Sequence, residues 1–317
     1  MKVTEHIKNA KKTLFSFELL PPLKGQNFEE IRSAIDPLLE FNPSYINITY
    51  HQEEVVYKKR EGGLLEKKTV RKRPGTVGIA AAIHFTYNMD IVPHIICGGF
   101  SREETENALI DLHFLGVDNL FVVRGDPEKS QKHFISEPDG HEHSIDMVKQ
   151  IIKLNKGIYL DEELLNSTPT NFCMGVAGYP EKHIESPNIN SDLWFLKDKI
   201  DAGAEYIVTQ MFFNNEKYFD FVKLCRNIGI NVPIIPGLKP ISIKDHITHL
   251  PKTFNIDIPD ELVREVEKCT DNKQARQVGV EWAINQAKEL IDAGVPVLHF
   301  YTMGKSDNIK KIAQSIF

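Results

Sequence analysis

The sequence predicts an α/β protein of one domain, a closed TIM-type (βα)8 barrel. Three observations predict it. A unit of amphipathic segment, glycine and apolar run recurs in DLHFLGVDNLFVV, DKIDAGAEYIVTQ, LCRNIGINVPIIP and LIDAGVPVLHFY, with glycines at 116, 203, 229 and 294. Glycine after a helix is the usual left-handed cap, so each unit reads as helix, turn and parallel strand. Eight short apolar runs of this kind lie along the chain, with helical stretches between them. Finally, no G-x-G-x-x-G follows any run, which removes the open dinucleotide-binding sheet.

The elements follow in order. Residues 1–12, MKVTEHIKNAKK, form a short polar helix, and the barrel spans 13–317. The strands are LFSFELL (14–20), SYINIT (44–49), VPHIIC (92–97), NLFVV (119–123), FCMGVAG (172–178), EYIVTQ (205–210), VPIIPG (232–237) and PVLHFY (296–301). In the first, strand alternation puts Phe15, Phe17 and Leu19 on one face and Ser16 and Glu18 on the other. Residues 58–73, KKREGGLLEKKTVRKR, are dense in charge and read as a solvated, mobile loop, with docking of an anionic cofactor tail as the alternative.

The 317 residues carry a formal net charge of −6, which calls for neither nucleic acid nor an anionic membrane surface. No apolar run approaches the ~18 residues of a membrane span. The N-terminus lacks the apolar centre of a secretory signal. The four cysteines, Cys97, Cys173, Cys225 and Cys269, are far apart, as in a reduced cytoplasmic protein with buried thiols.

Barrel chemistry sits at the C-terminal ends of the strands. Polar groups gather there: Glu18, then Thr49 with Asn47, His94, Arg124-Gly125-Asp126, Tyr179 with His183, Gln210, and Tyr301 with His299. The seventh strand, ending in Pro236-Gly237, offers only backbone. A lone glutamate at a strand end is more often half of a loop ion pair. In FELLPP, however, Glu18 has apolar neighbours, and burial would raise its pKa as a general acid near neutral pH requires. Arg124 suits an anionic group and Asp126 a donor-rich ring. His94 and Cys97 point to opposite faces of a strand, and HEH (141–143) reads as a surface loop. No metal site is expected.

FELLPP, the strand ending in Thr49-Tyr50, PHIIC, VVRGD, GYPEKH followed by Asp192 and Lys199, TQMFF, IIPGLKP and LHFYT come in one order. In that order they resemble the methylenetetrahydrofolate reductase family, from about residue 13 to 317. The resemblance implies a barrel with non-covalent FAD that reduces 5,10-methylenetetrahydrofolate to 5-methyltetrahydrofolate, supplying methyl groups for methionine synthesis. NADH or NADPH is the electron source, and the implied chemistry is ping-pong, with nicotinamide and folate taking turns at one flavin face. It further implies a cytoplasmic homo-oligomer. A proline-dehydrogenase-like flavin barrel, or a folate- or flavin-binding barrel without catalysis, are the alternatives. The joint presence of Glu18, Asp126 and Gln210 speaks against the second.

By the resemblance, Glu18 is the acid that protonates the folate, and Asp126 is the carboxylate near flavin and pterin. Gln210 and Tyr301 join these two as substrate contacts. The implied FAD positions are Thr49, Tyr50, His94, Arg124, Gly125, Asp126, Tyr179, His183, Asp192 and Lys199. The chain departs from the family pattern at Leu19 and Leu20, at His51-Gln52 with the insertion after them, at His143 and at Leu250, which leaves Leu250 a weak substrate role. The second domain that eukaryotic members of the family use for inhibition by S-adenosylmethionine is not expected here, so that control is expected to be absent.

Overall fold

The computed structural model describes residues 1–127, 131 and 133–317. Eleven strands occur among them. They are β1 (Leu14–Leu19), β2 (Tyr45–Ile48), β3 (Glu54–Lys59), β4 (Leu65–Val70), β5 (Ile91–Ile96), β6 (Asn119–Val123), β7 (Cys173–Gly178), β8 (Tyr206–Thr209), β9 (Ile234–Ile235), β10 (Gly237–Leu238) and β11 (Val297–Tyr301). The helices used below are α1 (Val3–Asn9), α2 (Glu29–Ile35), α3 (Thr76–Tyr87), α4 (Arg102–Phe114), α5 (Ser144–Leu154), α6 (Ile189–Asp201), α7 (Asn215–Asn227), α8 (His246–Phe254), α9 (Asp260–Lys268), α10 (Asn272–Asp292) and α11 (Asp307–Ile316).

One parallel sheet runs β10-β11-β1-β2-β5-β6-β7-β8-β9. Its two ends are consecutive in the chain, so β9 and β10 are halves of a single run interrupted at Pro236. Ile234 and Ile235 pair with β8, while Gly237 and Leu238 pair with β11. Proline has no N–H to give, but its carbonyl accepts from His299 N–H at 3.1 Å. The ring therefore closes as an eight-stranded barrel. The four recurring glycines all have positive φ, from 74° at Gly116 to 124° at Gly203, as the helix–glycine–strand reading requires.

The faces of β1 sort as alternation predicts. Phe15, Phe17 and Leu19 are buried outward against the surrounding helices, while Ser16 points inward and bonds His299 Nδ1 at 2.9 Å. The lower interior is apolar, with Tyr45, Val92, Phe121, Tyr206, Ile235 and Val297 in one cluster. Val3 of α1 closes this end, fully buried in that cluster, and its N–H donates to Asn119 Oδ1 at 2.8 Å. Higher up, the interior becomes polar.

The charged segment after β2 is not a featureless loop. β3 and β4 form an antiparallel hairpin from Glu54↔Val70 to Lys59↔Leu65, turning through Gly62 and Gly63 at positive φ. Gly-Gly between Val55-Val56-Tyr57 and Thr69-Val70 is a hairpin signal that the charge density hid. Nor is HEH wholly at the surface: His141 is buried and pairs with Gln150 at 2.5 Å. Leu250 is also buried, in a cluster with Met211 and Ile241.

Candidate active site

The parallel register puts Glu18 level with Asn47 on one side and Tyr301 on the other. Residues level in a parallel sheet share a face, so all three point into the upper barrel. The Glu18 side chain is 14% exposed, and its Oε2 lies 3.7 Å from His94 Nε2. That pair is not ionic at neutral pH. Burial pushes the Glu18 carboxyl up to about 8, against the pull of the Lys239 cation. Burial, helped by His299 and His51, holds His94 down to about 3. An uncharged acid therefore sits beside an uncharged imidazole.

Neighbours fix this level of the barrel. Thr302 Oγ1 donates to the Glu18 backbone carbonyl at 2.6 Å, and the Tyr301 hydroxyl donates to the Thr209 carbonyl at 2.6 Å. Asn47 Nδ2 donates to His94 Nε2 at 3.2 Å. The Asn47 side-chain oxygen is buried without a hydrogen-bond partner. A buried acceptor of that kind calls for a donor from a bound molecule.

The other expected positions follow the strand order. Thr49 and Tyr50 leave β2, His94 is on β5, Arg124, Gly125 and Asp126 continue β6, and Tyr179 and His183 follow β7. These four strands are adjacent in the sheet. Asp192 and Lys199 come from α6, behind β7. Gln210, Tyr301 and Glu18 lie on the remaining arc, β8 to β1. The barrel thus separates the expected cofactor positions from the expected substrate positions, apart from Asp126, which was expected in both sets.

Along the first arc, Arg124 pairs with Glu185 at 2.6 Å and stacks over Phe134 at 5.0 Å. Tyr50 packs on Phe100, and Tyr179 meets His183 edge-on at 4.7 Å. Asp192 accepts from His183 N–H and from the Ser186 hydroxyl. Lys199 donates to the Ala177 carbonyl at 3.3 Å, and burial draws its amine down to about 8 while Asp192 opposes the shift. Asp126 is exposed, and its backbone carbonyl accepts from Gln52 at 3.1 Å. It lines a cleft of about 1030 Å³ with Gln52, Phe134 and Lys149. A second cleft of about 420 Å³ opens between Tyr50, Arg71, Phe100 and the start of α3. On the second arc, Gln210 spends its side-chain oxygen on the next backbone N–H, at 2.9 Å.

Lys239 was not anticipated as a site residue. The seventh strand offers more than backbone: two residues past Gly237, Lys239 is only 8% exposed and acts electrostatically on Glu18. Its position after a proline-broken strand concealed it, although IIPGLKP was itself a recognisable motif. Among the described residues, no group of three or more acidic, histidine or cysteine side chains could hold a metal. No helix among them is long and apolar enough to cross a membrane.

A family model described as methylenetetrahydrofolate reductase matches residues 2–316. The chain is 31% identical over its full length to a methylenetetrahydrofolate reductase (NADH) 1 of Arabidopsis thaliana, covering 50% of that protein. It thus spans about half the length of the plant relative. A 5,10-methylenetetrahydrofolate reductase of Buchnera aphidicola is 29% identical over 94% of this chain and 89% of its own. Among solved structures, an uncharacterised Clostridium thermocellum protein that binds two copies of 5-methyl-5,6,7,8-tetrahydrofolic acid superposes with a TM-score of 0.56 at 16% identity. The match covers 98% of this chain and 97% of that one, a likeness of fold.

Proposed function

The chain belongs to the methylenetetrahydrofolate reductase family, and from that premise we propose that it reduces 5,10-methylenetetrahydrofolate to 5-methyltetrahydrofolate, with FAD bound and NADH or NADPH as electron source. The observation that carries the reading is Glu18, a carboxylic acid kept protonated at neutral pH by burial at the C-terminal end of a barrel strand.

The residues present fit the cofactor. Arg124 and Lys199 offer cations for a pyrophosphate, Tyr50 and Tyr179 offer rings, and the orphaned Asn47 oxygen offers an acceptor between the two arcs. FAD, when bound, supplies acceptance of a hydride from the reduced nicotinamide and its donation to the folate.

The protein's own part is the proton. Glu18 gives its hydrogen to N10 of the folate, and the carboxylate keeps the electron pair of the broken O–H bond. The N10–methylene bond then opens with its pair going to N10, and the N5 lone pair makes an iminium at the methylene carbon. That carbon is the hydride acceptor. His94, uncharged, cannot hold Glu18 as a carboxylate by ion pairing, so the acid stays loaded until folate arrives. Asp126 accepts from the amino group of the pterin at the open mouth. Gln210 and Tyr301 bound the substrate on the far arc. With FAD bound, nicotinamide and folate would take turns at the site, a ping-pong order.

The test is anaerobic. FAD is added to the purified protein, then NADH, then 5,10-methylenetetrahydrofolate, while the visible spectrum is followed. The flavin band should bleach with NADH and return with folate. Bleaching without return would leave an oxidoreductase with another acceptor, and absence of flavin binding would overturn the reading from the cofactor down.

A further inference from the structure

The register around the broken strand gives Lys239 a defined place. Gly237 is level with His299 and Leu238 with Phe300, so Lys239 follows at the level of Tyr301. Tyr301 is in turn level with Glu18. Glu18, Tyr301 and Lys239 therefore stand side by side on three neighbouring strands and share the inner face. Gly237 lies on that same face, one step below Lys239. A Cβ there would overlap the Thr209 carbonyl and the Tyr301 ring. The bare glycine lets the tyrosine lie low across the seam, beneath the lysine.

The groups facing Glu18 can be named strand by strand. β2 brings Asn47, which is uncharged. β5 brings His94, and β11 brings Tyr301 with His299 below it. Both histidines are held neutral by burial, and the Tyr301 phenol is held protonated. Lys239 is the one cation acting on Glu18 among the described residues; burial draws its amine down to about 8 while Glu18 opposes the shift, so the two groups titrate as a pair. Its only other electrostatic neighbour there is His246 at the start of α8, itself held uncharged. No hydrogen bond or ion pair engages the Lys239 amine among the described residues. A buried lysine is otherwise an expensive choice.

We propose that Lys239 is a positioning residue for the acid: its ammonium faces the Glu18 carboxyl across Tyr301 and sets how readily Glu18 releases its proton and is reloaded. Burial alone would make the carboxyl too reluctant to ionise. When the proton leaves for the folate, the carboxylate that remains is buried among uncharged polar groups, and Lys239 is the charge that receives it. Water then returns the proton. The role rests on reading Glu18 as the proton donor, but its test does not.

The measurement is the infrared carbonyl band of a protonated carboxyl, taken on the full chain and titrated from neutral into alkaline solution. Subtracting the Glu18→Gln spectrum isolates Glu18 from Glu181, another carboxyl that burial raises to about 7. In Lys239→Met the midpoint should move upward by about 1 pH unit. Lys239→Arg should restore it towards the native value, and Lys239→Gln gives the same upward shift should the methionine variant not fold. The alkaline limb of the folate half-reaction should move with the midpoint, while reduction of the flavin by NADH should not. An unmoved or lowered midpoint in the methionine or glutamine variant overturns the role of Lys239 and leaves the proposed reaction standing. Inert folate with a shifted midpoint does the reverse.

Discussion

Glu18 is the residue on which the proposed chemistry turns, and its protonation has a sign that can be followed. Its carboxyl is raised from 4.5 to about 8, so it is loaded at neutral pH and empties as the solution becomes alkaline. The folate half-reaction should fall as pH rises through about 8, while flavin reduction by NADH should not share that limb. Glu18→Gln should leave NADH bleaching intact and slow reoxidation by folate by roughly 10²-fold or more. Rapid mixing of the oxidised protein with NADH measures the first, and of the reduced protein with folate the second. Stability carries the opposite signature to an ordinary salt-bridged carboxylate. The unfolded chain gives up this proton near 4.5 and the folded one near 8, so the native state loses stability as pH climbs between those values. FELLPP made Glu18 legible because an acid among apolar residues at a strand end is unusual. Lys239 was not legible, because its level is set by pairing with β11, nearly sixty residues further on.

At the scale of elements, the four helix–glycine–strand units were readable because a positive-φ cap leaves a fixed residue behind it. The β3–β4 hairpin was misread because neither strand is buried on one face, so its charged residues leave no two-residue alternation to read. Broken β9 and β10 show why a strand assigned from apolar content can still miss its partners: Pro236 splits one apolar run between two neighbours. α10 bears on the same seam. Gly279 approaches Ile241, two residues past Lys239, so closely that an added Cβ would overlap the Ile241 carbonyl. Gly279→Ala sets a helix-propensity gain of about 1 kcal/mol against that overlap. The colliding group is backbone that cannot rotate away, so overpacking should win. We expect a net loss of roughly 1 to 2 kcal/mol in urea unfolding, within the range of overpacked cores. A more stable variant would show that the loop after β10 yields freely.

For the molecule as a whole, α1 acts as the floor of the barrel. It is held by Val3, by reciprocal bonds between Asn119 and residues 1 and 3, and by Asp90, which takes both the N-terminal ammonium and His6. Composition marked the segment as polar, and only the fold reveals that its single valine is its anchor. Removing residues 1–12 should lower unfolding stability by roughly 3 kcal/mol, from one buried valine and the buried hydrogen bonds it orients. Urea denaturation of the shortened chain measures it, and an unchanged midpoint would show the floor to be dispensable. The pairing of β1 with β11 has another consequence, concerning the order in which the protein is made. Glu18 leaves the ribosome well before its neighbours, for the strand that flanks it and the threonine that holds its carbonyl come almost three hundred residues later. Until β11 is made, the nascent chain carries an acid with no seam beside it and an open sheet edge at β1. The reactive level of the barrel is therefore assembled only once β11 and Thr302 have been made, and a chain terminated before them would hold most of the fold but no working acid.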